Sequence, residues 1–128
     1  MNTKQVIVIR RDLKMRRGKE ISSGSHSSMM WLIDRLKYTI AVETHPPSFT
    51  EEEKEWMREL FTKITVQIDS EKELLDLYNK AIAQGLTAYY VTDVGKTEFG
   101  GIPTITALAI GPNESEKIDL VTSGLKLY

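Results

Sequence analysis

The stretch GKEISSGSHSSM, residues 18–29, decides how this chain folds. Five serines, one glycine and one histidine fill Ser22 to Ser28, and by composition alone such a tract is flexible coil. Its setting argues otherwise. It lies between a basic run and an apolar segment in which Met29, Leu32, Ile33 and Leu36 recur at helical spacing. The spacing predicts one helix with the serines in its first turns. That helix carries a cost, since each serine is several tenths of a kcal/mol worse than alanine and glycine about 1. The tract loses roughly 2–4 kcal/mol of propensity, which tertiary packing must offset.

QVIVIR holds a continuous β-branched run from Val6 to Ile9, the pattern of a strand buried on both faces. THPPSF, residues 44–49, reads as a loop because Pro46 and Pro47 break regular structure. Thr50 with Glu53 matches a capping box and predicts a helix through Trp56, Leu60 and Phe61. KITVQI, residues 63–68, alternates as a strand does. Ser70 with Glu73 repeats the box ahead of a stripe of Leu74, Tyr78, Ala81 and Ile82, and Gly85 stops that helix. LTAYYVTD is a third strand ending at Asp93, VGKTEFGGIP a glycine-rich loop, and TITALAIGP a fourth strand ended by Gly111-Pro112. SEKIDLVT predicts a short helix and LKLY a tail. The order predicts one α/β domain over residues 1–128, with a four-stranded mixed sheet flanked by helices on both faces.

The totals narrow the function. The chain has 128 residues, 41% hydrophobic and 27% charged, with a net charge of −1, an ordinary globular composition. It has no cysteine and two histidines, so thiolate chemistry is excluded and neither a metal site nor a cofactor is expected. No apolar run approaches the roughly 18 residues of a membrane helix, and the first residues lack a signal-peptide pattern. A cytoplasmic protein without membrane contact is predicted. Affinity for a polyanion would have to come from a local patch.

RRDLKMRRGK, residues 10–19, supplies such a patch. Arg10, Arg11, Lys14, Arg16, Arg17 and Lys19 are basic against a single acid, Asp12. The run leads into a helix start, where outward N–H groups and the helix dipole favour phosphate. Two readings stand: a solvated charge run, or a grip on nucleic-acid phosphate. Lys19 sits where the dipole disfavours a cation, which marks it as a functional candidate. Asp93 ends a strand, where α/β sheets collect ligands, although strand ends also favour turn-forming aspartates. His26 stands among small residues that leave its imidazole accessible, with a hydroxyl at i−3 or i−4 in reach; most lone helical histidines are surface residues. Thr97, Thr104 and Thr106 count only in combination with Asp93. No G-x-S-x-G elbow, Walker motif or dinucleotide fingerprint is present. Met29, Met30 and Trp31 read as core or dimer contacts, and the glutamates from Glu51 to Glu59 as a solvated helix face.

Together these motifs resemble the archaeal and eukaryotic type (class II) of peptidyl-tRNA hydrolase, nearly end to end. KQVIVIRRDLKMRRGK is similar to that family's opening strand and D-L-K-M-x-x-G-K signature, and SEKELLDLYNKAIAQGL to its third helix. TDVGKTEF is similar to its D-x-G-x-T loop, and ALAIGP with KIDLVTSGLKLY to its carboxyl end. The resemblance implies hydrolysis of the ester joining a stalled peptide to the 3′ end of tRNA, by a four-stranded mixed sheet with flanking helices, commonly in a homodimer. It places the catalytic set on Lys19, His26, Asp93, Thr97 and Thr106, and the grip on tRNA on Arg10, Arg11, Lys14, Arg16 and Arg17. Three positions depart from the pattern. Ser23 stands in place of a glutamine, Glu20 adds a negative charge beside Lys19, and Glu98 replaces a glutamine. The alternatives are a tRNA-binding homologue with weak or lost catalysis, or a hydrolase of a different acyl-tRNA ester.

Overall fold

The computed structural model describes residues 2–42, 45–96 and 98–128. Its elements are β1 (Thr3–Arg10), α1 (Arg17–Ala41), α2 (Glu51–Arg58), β2 (Lys63–Ile68), α3 (Glu71–Ala83), β3 (Ala88–Asp93), β4 (Thr104–Glu114), α4 (Ser115–Thr122) and β5 (Lys126–Leu127). They form one mixed sheet in the order β3-β4-β1-β2-β5. β1 pairs with β2 in parallel and with β4 antiparallel. The two faces carry separate cores. Val6, Val8, Leu108 and Ile110 pack against Leu74 and Ala81 of α3 and Ile118 and Val121 of α4. On the other face, under α1, Ile7, Ile9 and Ala107 cluster with Met15.

The serine tract is helix, but the face it buries differs from the apolar stripe that the spacing predicts. Met29 and Ile33 are 51% and 44% exposed, whereas Ser23, Gly24, Ser27, Ser28 and Trp31 are buried. The cause is the bulk of β1. A Cβ added at Gly24 would meet Ile7 Cγ2 at 3.5 Å and Ile9 Cδ1 at 3.6 Å, so large residues on the strand require small ones on the helix. Two of the buried serines satisfy their hydroxyls within the helix. Ser27 Oγ donates to the Gly24 carbonyl and Ser28 Oγ to the Ser25 carbonyl, each at 2.9 Å. Gln5 Nε2 donates to the Ser28 carbonyl at 2.9 Å and ties α1 to β1.

Other expectations change for local reasons. The sheet has five strands rather than four, because the tail pairs with β2: Leu127 lies opposite Val66 and Lys126 opposite Gln67. Two residues are too few to show a period in the sequence. β4 does not end at Gly111-Pro112 but runs on to Glu114. The pairing with β1 shifts register between Lys4 and Val6, and such a bulge accommodates a proline that has no N–H to give. α2 ends at Arg58 rather than continuing through Leu60 and Phe61. Trp56 turns into the core, its indole N–H donates to the Thr62 carbonyl at 2.9 Å, and Phe61 takes φ 38° as the chain reverses.

Nor is the glutamate face of α2 wholly solvated. Glu53 is 1% exposed, completes the capping box with Thr50 and accepts Arg35 Nη2 of α1 at 2.7 Å. Trp31 is core and meets Trp56 edge to face, with ring centroids 6.0 Å apart. α1 and α2 are thereby locked to each other.

Two glycines separate propensity from geometry. Gly24→Ala gains helix propensity and makes only ordinary contacts, so it raises stability by about 1 kcal/mol. Gly111 sits at φ 97°, and a Cβ there would lie 2.9 Å from the Lys4 carbonyl oxygen. Gly111→Ala therefore costs at least about 1 kcal/mol. Urea unfolding midpoints of the two variants should move in opposite directions.

Candidate functional site

α1 starts with its N-cap, Arg16, making no side-chain cap. Lys19 follows in the first turn, at the positive end of the helix dipole, where a cation is disfavoured. Asp93 compensates. It ends β3, and its Oδ2 accepts Lys19 Nζ at 2.9 Å, with both side chains less than one-fifth exposed. Asp93 Oδ1 accepts the Gly95 N–H at 2.7 Å, the two-residues-on turn that aspartate favours. Gly95 is obligatory there. Its φ is 83°, and a Cβ would fall 2.3 Å from the Ile102 carbonyl oxygen. The D-x-G spacing in TDVGKTEF carried that signal.

The Lys19 hydrogen bond, and then the Gly95 N–H, hold the Asp93 carboxyl below its ordinary range against the opposing effect of burial. Asp93 is therefore ionised at neutral pH and weakly basic while Lys19 holds it. The pair's contribution to stability is complete above the ordinary carboxylate pKa of about 4. It is lost as pH falls through the lower, folded value.

The two departures that add negative charge to the first helix and its loop are neutralised away from the pair. Glu20 is buried, pairs with Arg11 Nε at 3.2 Å, and accepts the Tyr128 hydroxyl. Arg11 in turn lies over the Tyr128 ring, 4.2 Å from its centroid. Glu98 Oε1 accepts Arg16 Nε at 2.7 Å, and its Oε2 accepts the Arg16 backbone N–H at 3.3 Å. A carboxylate thus stands at the open start of α1. Neither contact was visible in the sequence, because each joins residues far apart along it.

Among the other candidates, Thr106 is fully buried in β4. The β3–β4 register slips beside it, Val91 facing Ala107 and Thr92 facing Ile105. Its Oγ1 has no hydrogen-bond partner among the described residues. Thr104 Oγ1 donates to the Ile102 carbonyl at 2.8 Å. Thr97 lies outside the described residues. His26 is exposed, two helical turns or roughly 10 Å along α1 from Lys19, beside Met29, Met30 and Tyr89. Lys19 and Asp93 are brought into contact; His26 is not brought to them. Arg10 differs from the rest of the basic run. It is buried, with Nη2 on Asp12 at 2.6 Å and Nη1 on the Ile105 carbonyl at 2.9 Å. Arg11, Lys14, Arg16 and Arg17 are exposed. Among the described residues, no three His, Cys, Asp or Glu side chains gather as metal ligands would, and no helix is long and apolar enough to cross a membrane.

Fold and site define a single-domain α/β protein that carries a lysine-held carboxylate at a strand end, beside a cationic helix start. The chain matches the peptidyl-tRNA hydrolase PTH2 family over residues 3–128. It is 42% identical to the peptidyl-tRNA hydrolase of Methanocaldococcus jannaschii, over 97% of this chain and 98% of that one. It is 40% identical to that of Methanothermobacter thermautotrophicus, over 97% and 98%. A solved structure of a protein of unknown function from Agrobacterium shares the fold at a TM-score of 0.58 with 10% identity, covering 100% of this chain and 98% of that one. The chain belongs to the peptidyl-tRNA hydrolase PTH2 family, whose enzymes hydrolyse the ester of peptidyl-tRNA.

Removing the lysine should release the acid. In Lys19→Met the Asp93 carboxyl titrates upward, toward the ordinary range, and side-chain carbon NMR against pH reads the shift.

Proposed function

We propose that the ester joining a peptide to the 3′ end of tRNA is cleaved at the Lys19–Asp93 pair. The observation that carries this reading is their 2.9 Å contact at the end of β3, in a chain of this family. Ester hydrolysis needs an oriented, partly deprotonated water and a donor for the tetrahedral oxyanion. Asp93 orients the water and accepts its proton. Lys19 meets the developing negative charge or the terminal phosphate. The two roles are coupled: as Lys19 turns to the substrate, Asp93 loses the contact that keeps it weakly basic and becomes the better base. The family resemblance also assigns His26, Thr97 and Thr106 to the catalytic set; the step itself needs only Lys19 and Asp93, and no cofactor takes part.

The tRNA is held through its backbone, independently of sequence, by Arg11, Lys14, Arg16 and Arg17. Arg10 was expected in this group. Its buried bonds to Asp12 and Ile105 favour a structural role instead. The chain works as one domain over residues 1–128 in the cytoplasm, clearing peptidyl-tRNA left by stalled translation. It acts as a homodimer, a reading favoured by the consecutive apolar residues Leu60 and Phe61, which are 82% and 56% exposed.

Hydrolysis of N-acetyl-aminoacyl-tRNA tests the assignment. Asp93→Asn and Lys19→Met, each shown folded by circular dichroism, should each lose about 10²–10³ in kcat. Undiminished turnover in both would move the chemistry elsewhere. tRNA binding measured against salt separates the arginines. Arg17→Ala lowers the slope of log K against log salt by about 1, whereas Arg10→Ala chiefly lowers the unfolding midpoint.

A further inference from the structure

A hydrolase of peptidyl-tRNA must accept peptides of any sequence, so the grip on its substrate has to come from groups that every peptide carries. β3 offers such a grip. It is an edge strand, paired along one side to β4, so the alternate N–H and C=O groups of its other side point outward. Its sequence, AYYVTD, has neither the proline nor the lysine that usually guards a free edge. It runs directly into Asp93.

Two grooves flank this edge. On the α1 face, a groove of about 360 Å³ is lined by Met29, Met30, Ile33 and Tyr89 together with the polar His26, Asp34 and Lys37. Toward α3, a second of about 430 Å³ is lined by Tyr78, Ile82, Thr87 and Tyr90 and extends around the start of β3 to Tyr89 and to Arg35 of α1. Tyr89 and Tyr90 mark the alternation. Tyr89 donates to Asp34 Oδ2 of α1 at 2.7 Å, while Tyr90 packs edge to face on Tyr78 of α3 at 5.0 Å. Met29, Ile33 and Ile82 are about half exposed. Unbranched methionine suits side chains of varied shape.

We infer that the peptide part of peptidyl-tRNA binds as an added strand along the free edge of β3, its side chains falling alternately into these two grooves. This rests on the reading of Lys19 and Asp93 as the ester-cleaving pair. With the ester carbonyl at Asp93 the peptide runs parallel to β3, its amino end toward Ala88. Six strand residues span roughly 16 Å, room for about five peptide residues. Backbone pairing supplies affinity whatever the sequence, and the grooves tolerate the side chains.

Two measurements test this. The first is kcat/KM for acetylated peptidyl-tRNAs carrying one to seven residues, with N-methyl groups placed at successive peptide nitrogens. The expected result is a rise of tenfold or more up to about five residues and a plateau beyond. N-methylation at alternate nitrogens should abolish the rise, while methylation at those between leaves it. Ile33→Glu and Ile82→Glu should lose the rise yet keep hydrolysis of N-acetyl-aminoacyl-tRNA within about twofold. The second is a titration of isotope-labelled protein with an acetylated pentapeptide in amide linkage to 3′-amino-adenosine, expected to shift the amides of residues 88–92.

Vigorous turnover that ignores peptide length would overturn the strand and leave the hydrolase standing. No turnover of any substrate would overturn the hydrolase, and the titration would then decide the strand alone: unshifted β3 amides reject it. If Ile33→Glu turns a dimer into monomers with the length profile intact, the edge belongs to a second copy of the chain and the strand proposal is overturned.

Discussion

The approach of α1 to β1 is the constraint on which the rest of the molecule depends. Gly24 comes close enough to Ile7 and Ile9 that a single methyl there would touch both. Only because that face is built from glycine and serine can the helix lie so near the sheet. Its first turn then arrives beside the end of β3, and Lys19 reaches Asp93. Serine costs helix propensity, yet its hydroxyl can bond to its own helix's carbonyl, so burying it leaves no orphan. Leucine at the same positions would be a better helix former by pattern and would push the helix away.

Charge is partitioned around that contact. The basic run and the acids near it pair selectively: Asp12 with Arg10, Glu20 with Arg11, Glu98 with Arg16. What remains at the centre is one lysine and one aspartate, each with the other as its charged partner. Glu20, adjacent to Lys19 in sequence, points instead to Arg11 and the Tyr128 hydroxyl. Tyr128, just beyond β5, thus helps to hold the Glu20 carboxylate away from the Lys19–Asp93 pair.

Much of this was legible in the sequence, and the failures share a cause. β2 matches its predicted span, because strict alternation and flanking polar residues left one reading. Thr50 and Ser70 cap the helices they precede, since capping is local chemistry. Asp93 at a strand end and Lys19 in a first helical turn could be singled out from position alone. What failed needed a neighbour. The serine face of α1 is buried and much of its apolar stripe exposed because the bulk of Ile7 and Ile9, which decides this, lies on another element. β5 exists through β2, and the burial of Glu53 through Arg35. The separation of Arg10 from the other arginines is likewise invisible in a run of like charges.

Glu98 changes what it means for an anion to arrive at α1. Its carboxylate already rests on the Arg16 guanidinium and backbone N–H, so the seat at the helix start is occupied by the chain itself. Any incoming phosphate competes with a tethered rival whose effective concentration is of millimolar order or above. A polyanion, anchored at neighbouring cations at the same time, does not enter that competition as a lone ion. An anion that also engages Arg11, Lys14 or Arg17 therefore displaces Glu98 more readily than one that meets Arg16 alone.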